Sequence, residues 1–150
     1  MLVTSSGTSR PAQHRTAAHW LTLWSSTGTG KTFLARQIHS HTKGHWQDWV
    51  DLCSSFQSKE DISSRLRYAR DALLLILDDI GAEHQTSPTA GLLHGLLHPR
   101  LGKRTVITTN HSPDHWQTVD ARIASRIIRS NNKHVCCVTA DFATRAISSC

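Results

Sequence analysis

Apolar residues occur along the chain in two alternating patterns, short runs and helical spacings. The short, strand-length stretches are residues 20–24, 46–52, 73–77, 105–109 and 134–139. Apolar positions three or four residues apart predict helices over 31–41, 62–71, 88–99 and 119–129. Strands that alternate with helices are typical of a three-layer α/β fold with a mostly parallel sheet.

Two carboxylates follow the most apolar of these runs. Residues 73–77 are continuously apolar, which is typical of a strand buried on both faces of a parallel sheet, and Asp78 and Asp79 come next. Adjacent acids at the end of a buried strand are costly without a cation. We interpret Asp78 as a Mg²⁺ ligand and Asp79 as the group that polarises a water molecule against a γ-phosphate. The alternative is that both acids begin a turn before Gly81.

A segment rich in Gly, Ser and Thr joins the first strand to the first helix. Gly28 and Gly30 allow a tight turn whose backbone N–H groups point inward, and the following helix adds the positive end of its dipole. This strand, loop and helix order predicts a phosphate-binding loop. The residues predicted to surround the phosphates are Ser25, Ser26, Thr27, Gly28, Thr29, Gly30, Lys31 and Thr32.

Two residues of the loop have specific predicted roles. Lys31 would contact the β- and γ-phosphates, and the Thr32 hydroxyl would hold Mg²⁺. The strict pattern has Gly where Ser25 stands. We expect weakened rather than abolished nucleotide binding if that position requires a positive φ. The alternative is a chance turn of small residues before a helix.

Composition and length fit one globular domain. The chain has 150 residues, 38% of them apolar and 19% charged; residues 1–19 predict a flexible N-terminal tail and residues 20–150 the domain. No apolar run approaches the roughly 18 to 20 residues of a membrane span, and the N-terminus lacks the features of a secretory signal. We therefore expect a cytoplasmic protein without a membrane partner.

The net charge of +6 is unevenly distributed. Residues 100–150 hold eight Lys and Arg against three Asp and Glu, whereas residues 1–99 hold nine against eight. This C-terminal surplus predicts either a DNA-binding surface or a solubilising charged face. The candidates for DNA contact are Arg100, Lys103, Arg104, Arg129 and Lys133.

Four motifs follow one another in a specific order. They are GTGKT at 28–32, LLILDDIGAE at 74–83, VITTN at 106–110 and RIASR at 122–126. With this order, residues 20–140 resemble the AAA+ ATPases of the DnaC/IstB type, which are helicase loaders and transposition helpers. The resemblance implies a P-loop NTPase fold with the AAA+ core, although no C-terminal helical lid is recognisable after Arg129. Lys31 and Thr32 match the Walker A motif of that family, and Asp78 and Asp79 match Walker B.

The same resemblance implies further roles. Asn110 matches sensor 1, which orients the attacking water, and Arg126 matches the arginine finger supplied by a neighbouring subunit, with Arg122 as a second candidate. The implied catalytic residues are Asp79, Asn110 and Arg126, and the implied metal ligands are Thr32 and Asp78.

The function implied by the resemblance is Mg²⁺-dependent ATP hydrolysis in a homo-oligomer. Its clients would be a helicase or transposase in DNA replication or transposition, with single-stranded or double-stranded DNA as a further partner. The alternative hypothesis is a truncated or degenerate nucleotide-binding adaptor without significant ATPase activity. Ser25 and the missing lid favour the adaptor, and the complete set of motif residues favours the ATPase.

Overall fold

The computed structural model describes residues 20–81, 87–129 and 132–137. Within them, five strands form one sheet in the order β2-β3-β4-β1-β5, and every pair of neighbouring strands is parallel. The strands are β1 (Trp20–Trp24), β2 (His45–Asp48), β3 (Leu74–Ile80), β4 (Arg104–Thr109) and β5 (Lys133–Cys136). The carboxyl ends of parallel strands share one edge of a sheet, so the segments that follow these strands meet there.

Helices connect the strands on both faces of the sheet. They are α1 (Lys31–Thr42), α2 (Trp49–Gln57), α3 (Ser63–Asp71), α4 (Ser87–Leu97), α5 (Pro113–Val119) and α6 (Ala121–Ile127), with a short 3-10 helix at His98–Arg100. Successive strand residues point to opposite faces, and Ile76 packs with Ala35 of α1 whereas Leu75 and Leu77 pack with apolar residues of α2 to α6. The predicted three-layer α/β fold with a parallel sheet is therefore confirmed.

Strand β3 differs from its prediction at both ends. Leu73 is 91% exposed and precedes the strand, and the strand continues through both acids to Ile80. Its pairing with β4 shifts register between Leu77 and Ile80. The two acids therefore lie inside an irregular part of the strand, and the turn before Gly81 begins after them.

The strand predicted over 46–52 is wrong beyond Asp48. The Asp48 side chain accepts a hydrogen bond from the backbone N–H of Asp51 at 2.8 Å and so caps α2. Trp49, Leu52 and Cys53 then fall at helical spacing and are buried in the core. The alternation of apolar and polar residues ends where this cap begins.

The helix predicted over 119–129 is also wrong in its extent. Asp120 has an extended backbone, separates α5 from α6, and caps α6 by accepting hydrogen bonds from the N–H groups of Arg122 and Ile123. The last strand starts one residue earlier than predicted, and positions 138 and 139 lie outside the described residues. The predicted tail at 1–19 lies wholly outside the described residues. The region after Arg129, where no lid is expected, lies mostly outside them.

Within the part of the chain described, no helix is both long enough and apolar enough to cross a bilayer.

Candidate nucleotide-binding site

The loop between β1 and α1 has the geometry of an anion-binding turn. Gly28 and Gly30 have φ of 83° and 88°, a region in which glycine is not strained. Gly30 is the residue before α1, and no side chain caps the start of that helix. The N–H groups of the first helical turn are therefore available to an anion at the positive end of the helix dipole.

Ser25 occupies its position without the backbone strain that a left-handed conformation would cause. Positive φ values outside glycine occur, among the described residues, at Lys43, Lys59 and Asp79, and Ser25 is not one of them. Its hydroxyl contacts that of Thr29, and its N–H donates to the carbonyl of Thr109 at 3.3 Å. We expected weakened nucleotide binding only if this position required a positive φ. Ser25 has no positive φ, so that condition is not met.

Lys31 places a buried ammonium group inside the loop. The residue is 7% exposed, and its Nζ donates to the carbonyl oxygens of Ser26 at 2.7 Å and Ser25 at 3.0 Å and to the Thr29 hydroxyl at 3.4 Å. Burial lowers the pKa of Lys31, whereas the nearby Cys137, Asp79 and Asp78 act to raise it. Phosphate oxygens would offer this cation charged acceptors, which make stronger hydrogen bonds than carbonyl oxygens do.

Thr32 and Asp78 bring oxygen ligands together beside the loop. The Thr32 hydroxyl donates to the two carboxylate oxygens of Asp78 at 3.1 and 3.4 Å. Asp78 is 4% exposed, and no Lys, Arg or His in the described ranges forms an ion pair with it. Hydroxyl and carboxylate oxygens suit Mg²⁺, so these two residues fit the predicted metal site.

Asp79 and Asn110 face the same cleft as the loop. The cleft has a volume of about 770 Å³, and its lining residues are Thr27, Gly28, Gly30, Lys31, Thr32, Phe33, Asp79 and Asn110. Of the predicted nucleotide-binding residues, Ser25, Ser26 and Thr29 do not line it; they supply the oxygen atoms around the Lys31 ammonium. The sheet thus places the ends of β1, β3 and β4 around one cavity.

Arg126 lies away from this cleft in its own chain. It sits on α6, where its Nη1 donates to the carbonyl of Arg122 at 2.8 Å and its Nη2 lies 2.7 Å from Nδ1 of His98. Arg122 is exposed and pairs with Asp120 at 3.0 Å. The structure therefore does not bring either arginine to the loop of the same subunit, and the finger role remains a prediction.

Arg100 is not available for the predicted contact with DNA. It is 0% exposed, and its guanidinium donates to the carbonyls of Ala69, Arg70, Ala72 and Arg104 and to the Thr105 hydroxyl. Lys103 also donates, at 2.8 Å, to the carbonyl of Arg70. These two residues cap the carboxyl end of α3, so part of the basic surplus has a structural role.

Two residues of the site were missed by sequence reasoning. Phe33, in the first turn of α1, lines the cleft and is exposed. Thr108 lies against both acids of β3, with its hydroxyl 2.6 Å from Asp78 Oδ1 and 2.8 Å from the Asp79 nitrogen. Two threonines that follow the apolar pair Val106 and Ile107 at the end of β4 were the available signal.

Several solved structures have a similar fold. The crystal structure of the DnaC helicase loader is 26% identical, with a TM-score of 0.58 over 81% of this chain and 80% of that one. DnaI is 22% identical, with a TM-score of 0.65 over 81% and 71% of the two chains. The replication initiator DnaA bound to AMPPCP and single-stranded DNA is 17% identical, with a TM-score of 0.63 over 81% of this chain and 41% of DnaA.

The sequence itself matches a family of nucleotide-binding proteins. None of the curated proteins compared with the chain matches it. The family described as IstB-like ATP binding protein matches residues 12–140, which include the loop between β1 and α1, both acids of β3, Asn110 and Arg126. The chain belongs to the IstB-like ATP binding protein family, with the AAA+ fold of the DnaC type.

Proposed function

We propose that this protein binds ATP with Mg²⁺ in the cleft at the carboxyl edge of the sheet and hydrolyses it. The observation that supports this most is the convergence of Lys31, the Thr32–Asp78 pair and Asp79 on one cavity. Thr32, in the first turn of α1, and Asp78, in β3, are 46 residues apart in sequence. Membership of an ATP-binding family supports the choice of nucleotide.

Each residue has a defined task in this proposal. The loop N–H groups and Lys31 bind the phosphates, and Thr32 and Asp78 would hold Mg²⁺, which neutralises charge on the β- and γ-phosphate oxygens. Asp79 accepts a proton from the attacking water, and Asn110, exposed at the end of β4, orients that water. Arg126 of a neighbouring subunit would stabilise the charge that spreads over the γ-phosphate oxygens.

The test separates binding from turnover. Asp79→Asn keeps the size of the side chain and removes its charge, so ATP should still bind while phosphate release falls by about 10²- to 10⁴-fold. Asp114→Asn, an exposed acid in the first turn of α5, is the matched control and should behave as the parent. Equal phosphate release from Asp79→Asn and the parent would contradict the assignment.

A nucleotide-binding adaptor without significant turnover is the second candidate. The observation that favours it is the engagement of Arg126 with His98 and Arg122 of its own chain, since a finger must reach another subunit. ATP binding without phosphate release at any protein concentration would support the adaptor.

The partners we propose follow from the family and from the 26% identity to a helicase loader. The protein would assemble with copies of itself in the cytoplasm and act on a helicase or transposase. DNA contact would use the exposed residues Arg104, Arg129 and Lys133. DNA affinity that falls steeply with salt would support this contact, and no binding at low salt would exclude it.

A further inference from the structure

One hydroxyl group lies between the two acids of β3. Thr108 is buried in the neighbouring strand β4, and its Oγ1 donates to Asp78 Oδ1 at 2.6 Å. The same oxygen accepts a hydrogen bond from the backbone N–H of Asp79 at 2.8 Å. Thr108 therefore fixes the side chain of the first acid and the backbone of the second at the same time.

The backbone at Asp79 is unusual and needs such a contact. Its φ is 65°, in the left-handed region that non-glycine residues seldom adopt, and it coincides with the register shift between Leu77 and Ile80. A conformation of this kind persists only where the surrounding structure holds it. The Thr108 hydroxyl accepts the Asp79 N–H at this irregular point of the ladder between β3 and β4.

The irregularity has a consequence for the site. In a regular strand, adjacent side chains point to opposite faces, so Asp78 and Asp79 could not both serve one cavity. Here Asp78 bonds to Thr32, which lines the cleft, and Asp79 lines the cleft itself. The register shift in β3 therefore lets the proposed metal ligand and the proposed general base be neighbours in sequence and still serve one cavity.

Further contacts hold the chain that follows the register shift. The Thr109 hydroxyl donates to the carbonyl of Ile80 at 2.8 Å, and the His111 ring lies 3.1 Å from the carbonyl of Gly81. These contacts fix the chain after the acids but do not reach either of them. Thr108, by contrast, contacts both acids.

We propose that Thr108 is a positioning residue for ATP hydrolysis, which aligns Asp78 with the metal position and Asp79 with the attacking water. This inference rests on the proposed function of the cleft. Loss of the hydroxyl should misplace both acids and leave the surroundings of Lys31 intact, because its ammonium is held by oxygen atoms of Ser25, Ser26 and Thr29 within the loop.

Thr108→Val tests this, since it removes the hydroxyl and keeps the side-chain volume. We expect kcat to fall by about 10²-fold, the effect of a small misplacement of reacting groups, with little change in KM. The Mg²⁺ concentration needed for half-maximal binding of a fluorescent ATP analogue should rise, whereas binding of the analogue without Mg²⁺ should not change. Thr108→Ser keeps the hydroxyl and should restore both readouts.

Thr22→Val is the matched control. Thr22 is equally buried, lies in the neighbouring strand β1, and its hydroxyl has no hydrogen-bond partner among the described residues. This variant should keep the turnover and the Mg²⁺ response of the parent. If Thr108→Val does not fold, as judged by its thermal unfolding, Thr108→Ala provides the same comparison.

The outcomes separate the inference from the proposed function. A parent protein that releases no phosphate would contradict the proposed hydrolysis, and the Mg²⁺ dependence of binding would still test Thr108. Parent-like turnover and Mg²⁺ response in Thr108→Val would overturn the inference alone. So would a Thr108→Ser variant as defective as Thr108→Val.

Discussion

The charged ammonium group of Lys31 is buried, and the oxygen atoms that accept its hydrogen bonds are uncharged. Its ammonium lies among oxygen atoms of Ser25, Ser26 and Thr29, and burial is the main cause of its lowered pKa. A cation in such surroundings gains from any ligand that brings negative charge. The Lys31 charge therefore contributes more to phosphate binding than to the stability of the fold.

Replacement of Lys31 by alanine tests the role of this cation. ATP affinity should fall at least about tenfold, because a charge-assisted hydrogen bond contributes roughly 1.5 to 3 kcal/mol. The thermal unfolding temperature without nucleotide should stay close to that of the parent. Titration of labelled ATP checks the affinity. Lys133→Ala is the control, because Lys133 is exposed at the amino end of β5, the opposite edge of the sheet. Parent-like affinity in Lys31→Ala would show that the loop does not bind phosphate.

At the scale of elements, Arg100 connects three parts of the fold. Its guanidinium donates to carbonyls at the end of α3 and to the Thr105 side chain on β4, and its own carbonyl accepts from the Trp20 indole on β1. Burial lowers the pKa of Arg100 to about 10, so the group stays charged at neutral pH. Several carbonyl oxygens from separate segments accept hydrogen bonds from this one side chain.

Arg100→Met should therefore destabilise the protein strongly. We expect the free energy of unfolding to fall by about 3 kcal/mol or more, because each buried carbonyl left unpaired costs roughly 1 to 3 kcal/mol. Urea unfolding measures the difference. Arg104→Met removes an exposed arginine from β4 and should change stability little. Similar unfolding curves for the two variants would mean that water replaces the lost contacts.

The elements show which parts of the fold follow from local sequence. Residues 31–42 and the strand at 105–109 were predicted closely because their apolar spacing and end signals agree. The segment after Asp48 was missed although Trp49, Leu52 and Cys53 have helical spacing, because the short alternation before them suggested a longer strand. Asp48 ends the strand there by capping α2. A second aspartate, Asp120, separates α5 from α6 in the same way.

At the scale of the whole molecule, the order of motifs predicted which residues would meet. A parallel sheet gathers its strand ends at one edge, so the loop after β1, the acids of β3 and Asn110 had to be neighbours. Local pattern could not predict the burial of Arg100 or the two contacts of Thr108. Both depend on packing between segments about 30 residues apart.

The candidate arginine finger can be judged only in the assembled protein. Arg126 and the phosphate loop do not meet within one chain, so turnover per subunit should rise with protein concentration. A finger supplied by a neighbour contributes on the order of 10³- to 10⁵-fold to turnover. Arg126→Ala should therefore bind ATP and lose hydrolysis.

Mixing two inactive variants gives the sharpest test of that role. In a mixture of Arg126→Ala and Lys31→Ala, some interfaces pair the intact loop of the first variant with the intact arginine of the second, so part of the activity should return. Arg122→Ala in place of Arg126→Ala is the control, since Arg122 lies one helical turn earlier on α6 and pairs with Asp120. If Arg126→Ala and Lys31→Ala co-assemble in light scattering and stay inactive, Arg126 is a structural residue that packs against His98. If Arg122→Ala loses hydrolysis instead of Arg126→Ala and regains it on mixing, the finger is Arg122.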